Sequence, residues 1–335
     1  MRFLPFFISL ASLILFSGCS SKQYFEPKNA YSVRSSTYSG TIVDISRQGA
    51  TLNNEKYIGE HGVSKIEIGK GYRFLNENAK YILASNNEGI LNIIDKHTHK
   101  SVRAVSLHIP VVSATIHNGL VAYILNNNTF GLYKVSDNSK IIENRSERTY
   151  AIDTRAASPM FIDNLAIMPM LDGKLVIVDT SDIENAKVVY ISSEKAFNNV
   201  IYLSRMGNTM VAATPKKLIT LGDFGKLEYA SNISEVAINN QHIYLFTKEG
   251  EVIKFNNKLK ELSKKKFKFA HFSAATVLGD KVYGLDHQGS LIVLSSDLNK
   301  FKVYDVGSVD NAAFISGTKL YKDGKVIELS KLGYE

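Results

Sequence analysis

The chain has 335 residues, 44% apolar and 21% charged, with one cysteine, Cys19, and no tryptophan. A single cysteine excludes a disulfide framework and any zinc site built on several thiolates. The excess of basic over acidic side chains is +8, or +7 without Arg2, too small over this length to point to nucleic acid.

Met1-Arg2 forms a short positive start, and Phe3 to Phe16 is apolar except for Pro5, Ser9 and Ser12. Fourteen helical residues rise roughly 21 Å against a hydrocarbon slab of about 30 Å, so the run fits a signal-peptide core better than a membrane span. Leu15-Phe16-Ser17-Gly18-Cys19 then resembles the leader of bacterial lipoproteins, with small residues before an obligatory cysteine and Phe16 where leucine is usual. The resemblance implies cleavage after Gly18, a diacylglyceryl group on the Cys19 thiol and acylation of the new amino group. One acyl chain holds a protein marginally, whereas two or three anchor it stably. Ser20 stands where an aspartate would retain the protein at the inner membrane, so the resemblance implies the outer membrane, facing the periplasm. An ordinary signal peptide with a chance cysteine is the alternative. Residues 20–39 are polar and poorly patterned and read as a flexible tether. The organisation is then 1–18 leader, 19–39 lipidated tether and 40–335 a single domain.

From residue 40 onward, short β-rich runs alternate with Asn, Asp, Gly and Lys, and no long 3.6-residue apolar stripe interrupts them. A turn recurs in ISRQGATL (45–52), ASNNEGILNIID (84–95), LNNNTFGLYKV (125–135), MPMLDGKLVIVD (168–179), ATPKKLITL (213–221), FTKEGEVIKF (246–255), LDHQGSLIVL (285–294) and LYKDGKVIEL (320–329). Gly49, Gly89, Gly131, Gly173, Gly250, Gly289 and Gly324 mark it, with Lys216 in the fifth unit, at a mean step of about 39 residues. Four short strands at that period make the blade of a β-propeller. One unit reads as Ala157–Asp163, Leu165–Met170, Lys174–Asp179 and Lys187–Ser192, another as Phe272–Leu278, Lys281–Asp286, Ser290–Ser295 and Phe301–Val306.

The last unit runs Asn311–Ile315, Lys319–Lys322 and Lys325–Leu329 and lacks a fourth strand. Thr41–Ser46 has no inner strand before it. Joining the two defects predicts an all-β propeller of seven blades, closed by a strand at about 40–52 pairing beside Lys325–Leu329, which removes the free edges. Eight blades result if residues 41–70 make a blade of their own.

The turn-strand form, best seen in NNEGILNIID with Asp95 and LDGKLVIVD with Asp179, resembles the repeat of quinoprotein-like (PQQ-type) propellers over residues 72–329. With the lipoprotein leader, the chain is similar to the BamB-type lipoproteins of outer-membrane barrel assembly. The blade-end tryptophans of that family are absent, as is the His and Asp signature of WD40 units.

Enzymatic chemistry finds little support in the sequence. A quinone site needs a stacking tryptophan and usually calcium, and no Asp/Asn cluster has calcium-loop spacing. No cofactor is expected. His97 and His99 lie in a turn between Lys96 and Lys100, which would repel a metal. The closest Gly-flanked serine, Ser290, belongs to a hairpin, and IGKGYRF (68–74) is too short for a phosphate cradle.

Two surface features remain. Lys264, Lys265, Lys266 and Lys268 end a basic run placed on the outer strand of the fifth of seven blades. They would contact anionic headgroups, lipopolysaccharide or an acidic partner, or else guard a sheet edge. Arg145, Arg148, Tyr150, Arg155 and Met160, near a long inter-blade connection, have the composition of a protein interface, or else form a solvated loop. The expected function is a non-enzymatic docking platform for envelope proteins, as a barrel-assembly accessory. A part of a secretion or motility machine, a small-ligand binder and a quinoprotein-like enzyme are the rivals.

Overall fold

A computed structural model describes residues 23–149, 152–310 and 312–335. Cys19, Tyr150 and Asn311 lie outside them. Eight small sheets follow one another in chain order, covering residues 42–63, 73–106, 111–145, 160–190, 202–230, 233–266, 272–305 and 313–328, here blades 1 to 8. Each is an antiparallel meander with its first strand innermost and its edges short.

The apolar residues explain the ring. Eight buried clusters occur among the described residues, and each lies between two adjacent blades. Leu75, Leu83 and Ile93 of blade 2 pack on Val111, Ala114 and Tyr123 of blade 3, for example. The closing cluster joins Ile42, Ala50, Leu52 and Ile58 of blade 1 to Tyr321 of blade 8. Sheet faces that alternate inward and outward in a sandwich are here buried on both sides, so the strands read as near-continuous apolar runs.

Buried tyrosines, Tyr57, Tyr244 and Tyr283 among them, lie between blades, and their hydroxyls tie blade to blade. Tyr57 donates to Glu77 of blade 2 at 2.9 Å. Tyr244 of blade 6 donates to the Ser296 carbonyl at 3.0 Å, and Tyr283 of blade 7 to the Leu329 carbonyl at 3.0 Å. Burial pushes the phenols of Tyr244 and Tyr283 up to about 12, so both stay protonated donors.

The ring has eight blades, not seven. Residues 41–70 make a blade of their own, and the closing strand comes from farther upstream: Ser36 and Thr37 pair antiparallel with Val326 and Lys325. Tyr31 and Ser32 pair parallel with Tyr304 and Asp305 on the outer edge of blade 7. Much of the segment read as tether is therefore built into the ring. Two-residue strands carry no alternation that a sequence can show, so the segment reads as tether.

The recurring glycine also resolves into distinct roles. Gly89 and Gly289 close second hairpins with φ of +79° and +89°, and a Cβ there would meet Ile109 N at 2.3 Å and Gly307 O at 1.9 Å. The glycine is required because the chain leaving the outer strand passes against it. Its carbonyl accepts from Leu107 N at 2.9 Å in blade 2 and from Val306 N at 3.0 Å in blade 7. Gly49 instead belongs to the first hairpin of blade 1, and Gly131 lies inside Thr129–Lys134, where a Cβ would strike the Tyr123 ring.

Candidate functional site

The first strands of the blades surround an axial cavity of about 1800 Å³. One end of the ring carries the second hairpins and the blade-to-blade connections, and the other carries the first hairpins.

Ser46–Gly49 forms the first hairpin of blade 1, fixed where Ser46 Oγ donates to the Leu75 carbonyl at 3.0 Å. From this hairpin Arg47 reaches the far side of the channel. Its Nε donates to the Ile201 carbonyl at 2.6 Å, and its Nη1 lies 2.7 Å from Glu235 Oε2. Ile201 leads into blade 5 and Glu235 stands on the inner strand of blade 6, so the contact spans the axis.

Arg155 approaches the same carboxylate, its Nη1 3.4 Å from Glu235 Oε1, while its Nε and Nη2 grip the two oxygens of Asp153 at 2.7 and 2.5 Å. Glu235 is nearly buried, with a side chain 6% exposed. Asn199 fixes the loop. It donates to the carbonyls of Asp153 and Arg155 at 3.1 and 3.0 Å and accepts from Asp153 N at 2.6 Å.

Burial opposes ionisation of Asp153, but the hydrogen bonds and charge of Arg155, with Arg47, hold its carboxyl below the usual range. Burial lowers the basicity of Arg155, yet Asp153 and Glu235 outweigh it and raise its pKa. Burial pushes Tyr202 beside them up to about 12. Across the channel, Asp44 is shifted the other way: burial raises it, and Arg73 at 3.9 Å offsets that in part. Arginine forks that already hold carboxylates brace opposing blades; they are not poised to exchange protons with a substrate.

The residues expected at an interface separate. Arg145 ends the outer strand of blade 3 and Arg148 lies on the connection to blade 4, both exposed. That connection is fixed at Asn128, whose Nδ2 donates to the Glu147 carbonyl at 2.8 Å, and at Lys174, which lies 2.9 Å from Glu147 Oε1. Arg155 turns into the axial brace, and Met160 packs between blades 4 and 5. The lysines lie on and just after Glu261–Lys266, the outer strand of blade 6 in an eight-blade count. Lys264 is 4.0 Å from Glu261 and Lys266 3.6 Å from Glu251. Lys265 stacks over the Phe301 ring at 4.9 Å and Lys268 over Phe269 at 4.7 Å. Both edge guarding and surface contact remain served by that arrangement.

His97 and His99 are exposed in the turn after Asp95. Among the described residues, no three His, Cys, Asp or Glu side chains converge as metal ligands. The brace was missed from sequence. Its one available signal was Glu235, a lone carboxylate in the apolar strand ISEVAI, since Arg47 looks like any polar turn residue.

No family model matches the sequence. The structure of BamB from Moraxella catarrhalis superposes with a TM-score of 0.70, covering 89% of this chain and 98% of that one at 14% identity. The fold is a β-propeller like that of BamB. The C-terminal WD40 domain of Sif2 gives a TM-score of 0.67 at 13% identity, covering 90% of this chain and 99% of that domain. In sequence, the chain is 28% identical over 372 aligned positions to the plasminogen-binding protein PgbB of Helicobacter pylori strain J99, covering 95% of this chain and 68% of that protein. The same protein of strain 26695 is 27% identical, covering 95% of this chain and 67% of its own length. The chain is thus a propeller with protein-interacting relatives.

Proposed function

We propose that this chain is a lipid-anchored interaction platform of the bacterial envelope, attached to the outer membrane through Cys19 and serving as an accessory in barrel assembly. The full-length likeness to BamB carries this reading. Arg145 at the end of its strand and Arg148 beside Glu147, which Asn128 and Lys174 hold in place, support it as a preorganised docking edge, since groups already held lose less freedom on binding. The lipid would confine the ring to a surface and raise its effective concentration toward membrane partners. Affinity capture of the tagged full-length protein from detergent-solubilised envelopes should recover barrel-assembly components. Recovery of a secretion or motility machine would move the role there, and recovery of cytoplasmic proteins alone would contradict it. Labelled palmitate should enter the protein and be lost from Cys19→Ala.

The sequence likeness to plasminogen-binding proteins favours a second reading, in which the partner is plasminogen at the cell exterior. Titration of plasminogen onto the immobilised full-length chain tests it. Saturable binding supports it, and a flat response removes it.

A further inference from the structure

The described chain begins on the connection end of the ring, beside the basic run. Phe25 packs edge-on against Phe267 at 5.8 Å, and Tyr24 borders the mouth of the axial channel. Phe267 is buried, whereas its neighbours Lys266 and Lys268 are exposed. Six residues separate Phe25 from Cys19, a reach of at most about 21 Å when fully extended. The first strand of blade 6, Ile233–Ile238, already spans about 20 Å from one end of the ring to the other. That whole reach would be spent in descending the outer wall of one blade, so a lipid on Cys19 is held nearest the connection end.

We infer that the connection end of blades 6 and 7 lies against an anionic phospholipid surface, with Lys264, Lys265, Lys266 and Lys268 as its contacts. This rests on lipidation of Cys19. Lys248 joins them at that end, and the carboxylates facing the set are Glu249, Glu251 and Glu261, so positive charge is in excess. Glu249 already accepts from Asn232 at 2.5 Å, and Glu251 and Glu261 lie within reach of Lys266 and Lys264. Apolar surface accompanies the lysines as it does at membrane interfaces: the Phe301 ring, against Phe267 and under Lys265, is exposed. Glu26 and Lys28, both exposed just after Phe25, offset each other in charge. In this orientation blades 2 and 3 stand on the far side of the ring. The blade 3 to blade 4 connection with Arg148 is on the same end but across the axis, so contact through blades 6 and 7 requires the ring to tilt and lift it from the bilayer, open to a protein.

The test uses the full-length lipoprotein in vesicles of phosphatidylethanolamine and phosphatidylglycerol. A dye is placed at Lys268→Cys or, at the opposite end of the same blade, at Gln241→Cys, and headgroup-bound nitroxide is the quencher. Quenching at position 268, little at 241, and loss of the difference when Lys264, Lys265 and Lys266 are all changed to Gln in the same dye-bearing protein would support the orientation. Equal quenching at both positions in vesicle-bound protein overturns it while leaving the anchor intact. Failure of the protein to float with vesicles, with no lipid mass on the Cys19 peptide, overturns the anchor and the orientation together. Loss of the signal in high salt but not in neutral sugar marks the contact as electrostatic, and its persistence in salt overturns the lysine assignment.

Discussion

Replacing Glu235 by Gln removes the one negative charge that two arginines share across the channel. Arg47 and Arg155 would then face each other over a neutral amide, Arg155 keeping Asp153 and Arg47 keeping only the Ile201 carbonyl. The side chains are 6%, 20% and 25% exposed for Glu235, Arg47 and Arg155, so the site lies between a surface pair and a buried one. Exposed pairs contribute about 0–1 kcal/mol and breaking a fully buried one costs about 3–5, which places this loss near 2 kcal/mol. With an unfolding entropy of about 2 cal/mol/K per residue, a ring of this size should lose roughly 3 °C in Tm. Scanning calorimetry at neutral pH and low salt reads the shift. The double variant Arg47→Met with Glu235→Leu should recover much of it, because a buried ion pair replaced by apolar side chains leaves no unpaired charge. A Glu235→Gln shift below about 1 °C, or a double variant that simply sums the single losses, would refute the cross-axial brace.

Asp153 ties the stability of the brace to pH. Its folded pKa lies below the ordinary 3.8, so its stabilisation is complete above that value and is lost as pH falls through the folded pKa. An Asp153→Asn variant should therefore be less stable than the parent at pH 7 and converge with it as the pH falls below the folded pKa of Asp153, as followed by circular dichroism. Gly289→Ala should be far worse than Gly119→Ala: both have positive φ, but only the first would drive a Cβ into the backbone, at Gly307 O. We expect a loss of about 3 kcal/mol or more against about 1 kcal/mol, measured by urea unfolding. A Ser36→Cys/Val326→Cys pair should form a disulfide on mild oxidation and raise Tm, because those residues face each other in the closing blade. A cross-link that never forms would place the closing strand elsewhere.

Much of the architecture was legible because a propeller repeats its chemistry. The strands Lys281–Asp286 and Ser290–Ser295 end where the apolar runs end, bounded by Gly289 and its turn. The blade count was not legible, although eight turns could be read. Ser36–Thr37 closes the ring with two residues, and its neighbours Tyr31 and Ser32 are polar and exposed like any linker. The axial brace was hidden for a different reason. Arg47, Asp153 and Glu235 are far apart in sequence, and only ring closure brings blade 1 opposite blades 5 and 6. Arg155 was found as part of a positive cluster, but its partner is an internal carboxylate, a pairing that composition cannot distinguish from an outward-facing one.

The central claim is that an envelope-anchored ring presents the blade 3 to blade 4 connection to a protein partner. A photo-cross-linking amino acid in place of Arg148, in the full-length protein and in intact cells, tests it most directly. The account predicts a discrete adduct with an envelope protein that sediments with membranes, and no such adduct from Gln241 on the opposite end. Adducts with cytoplasmic proteins only, or equal adducts from both positions, would contradict it.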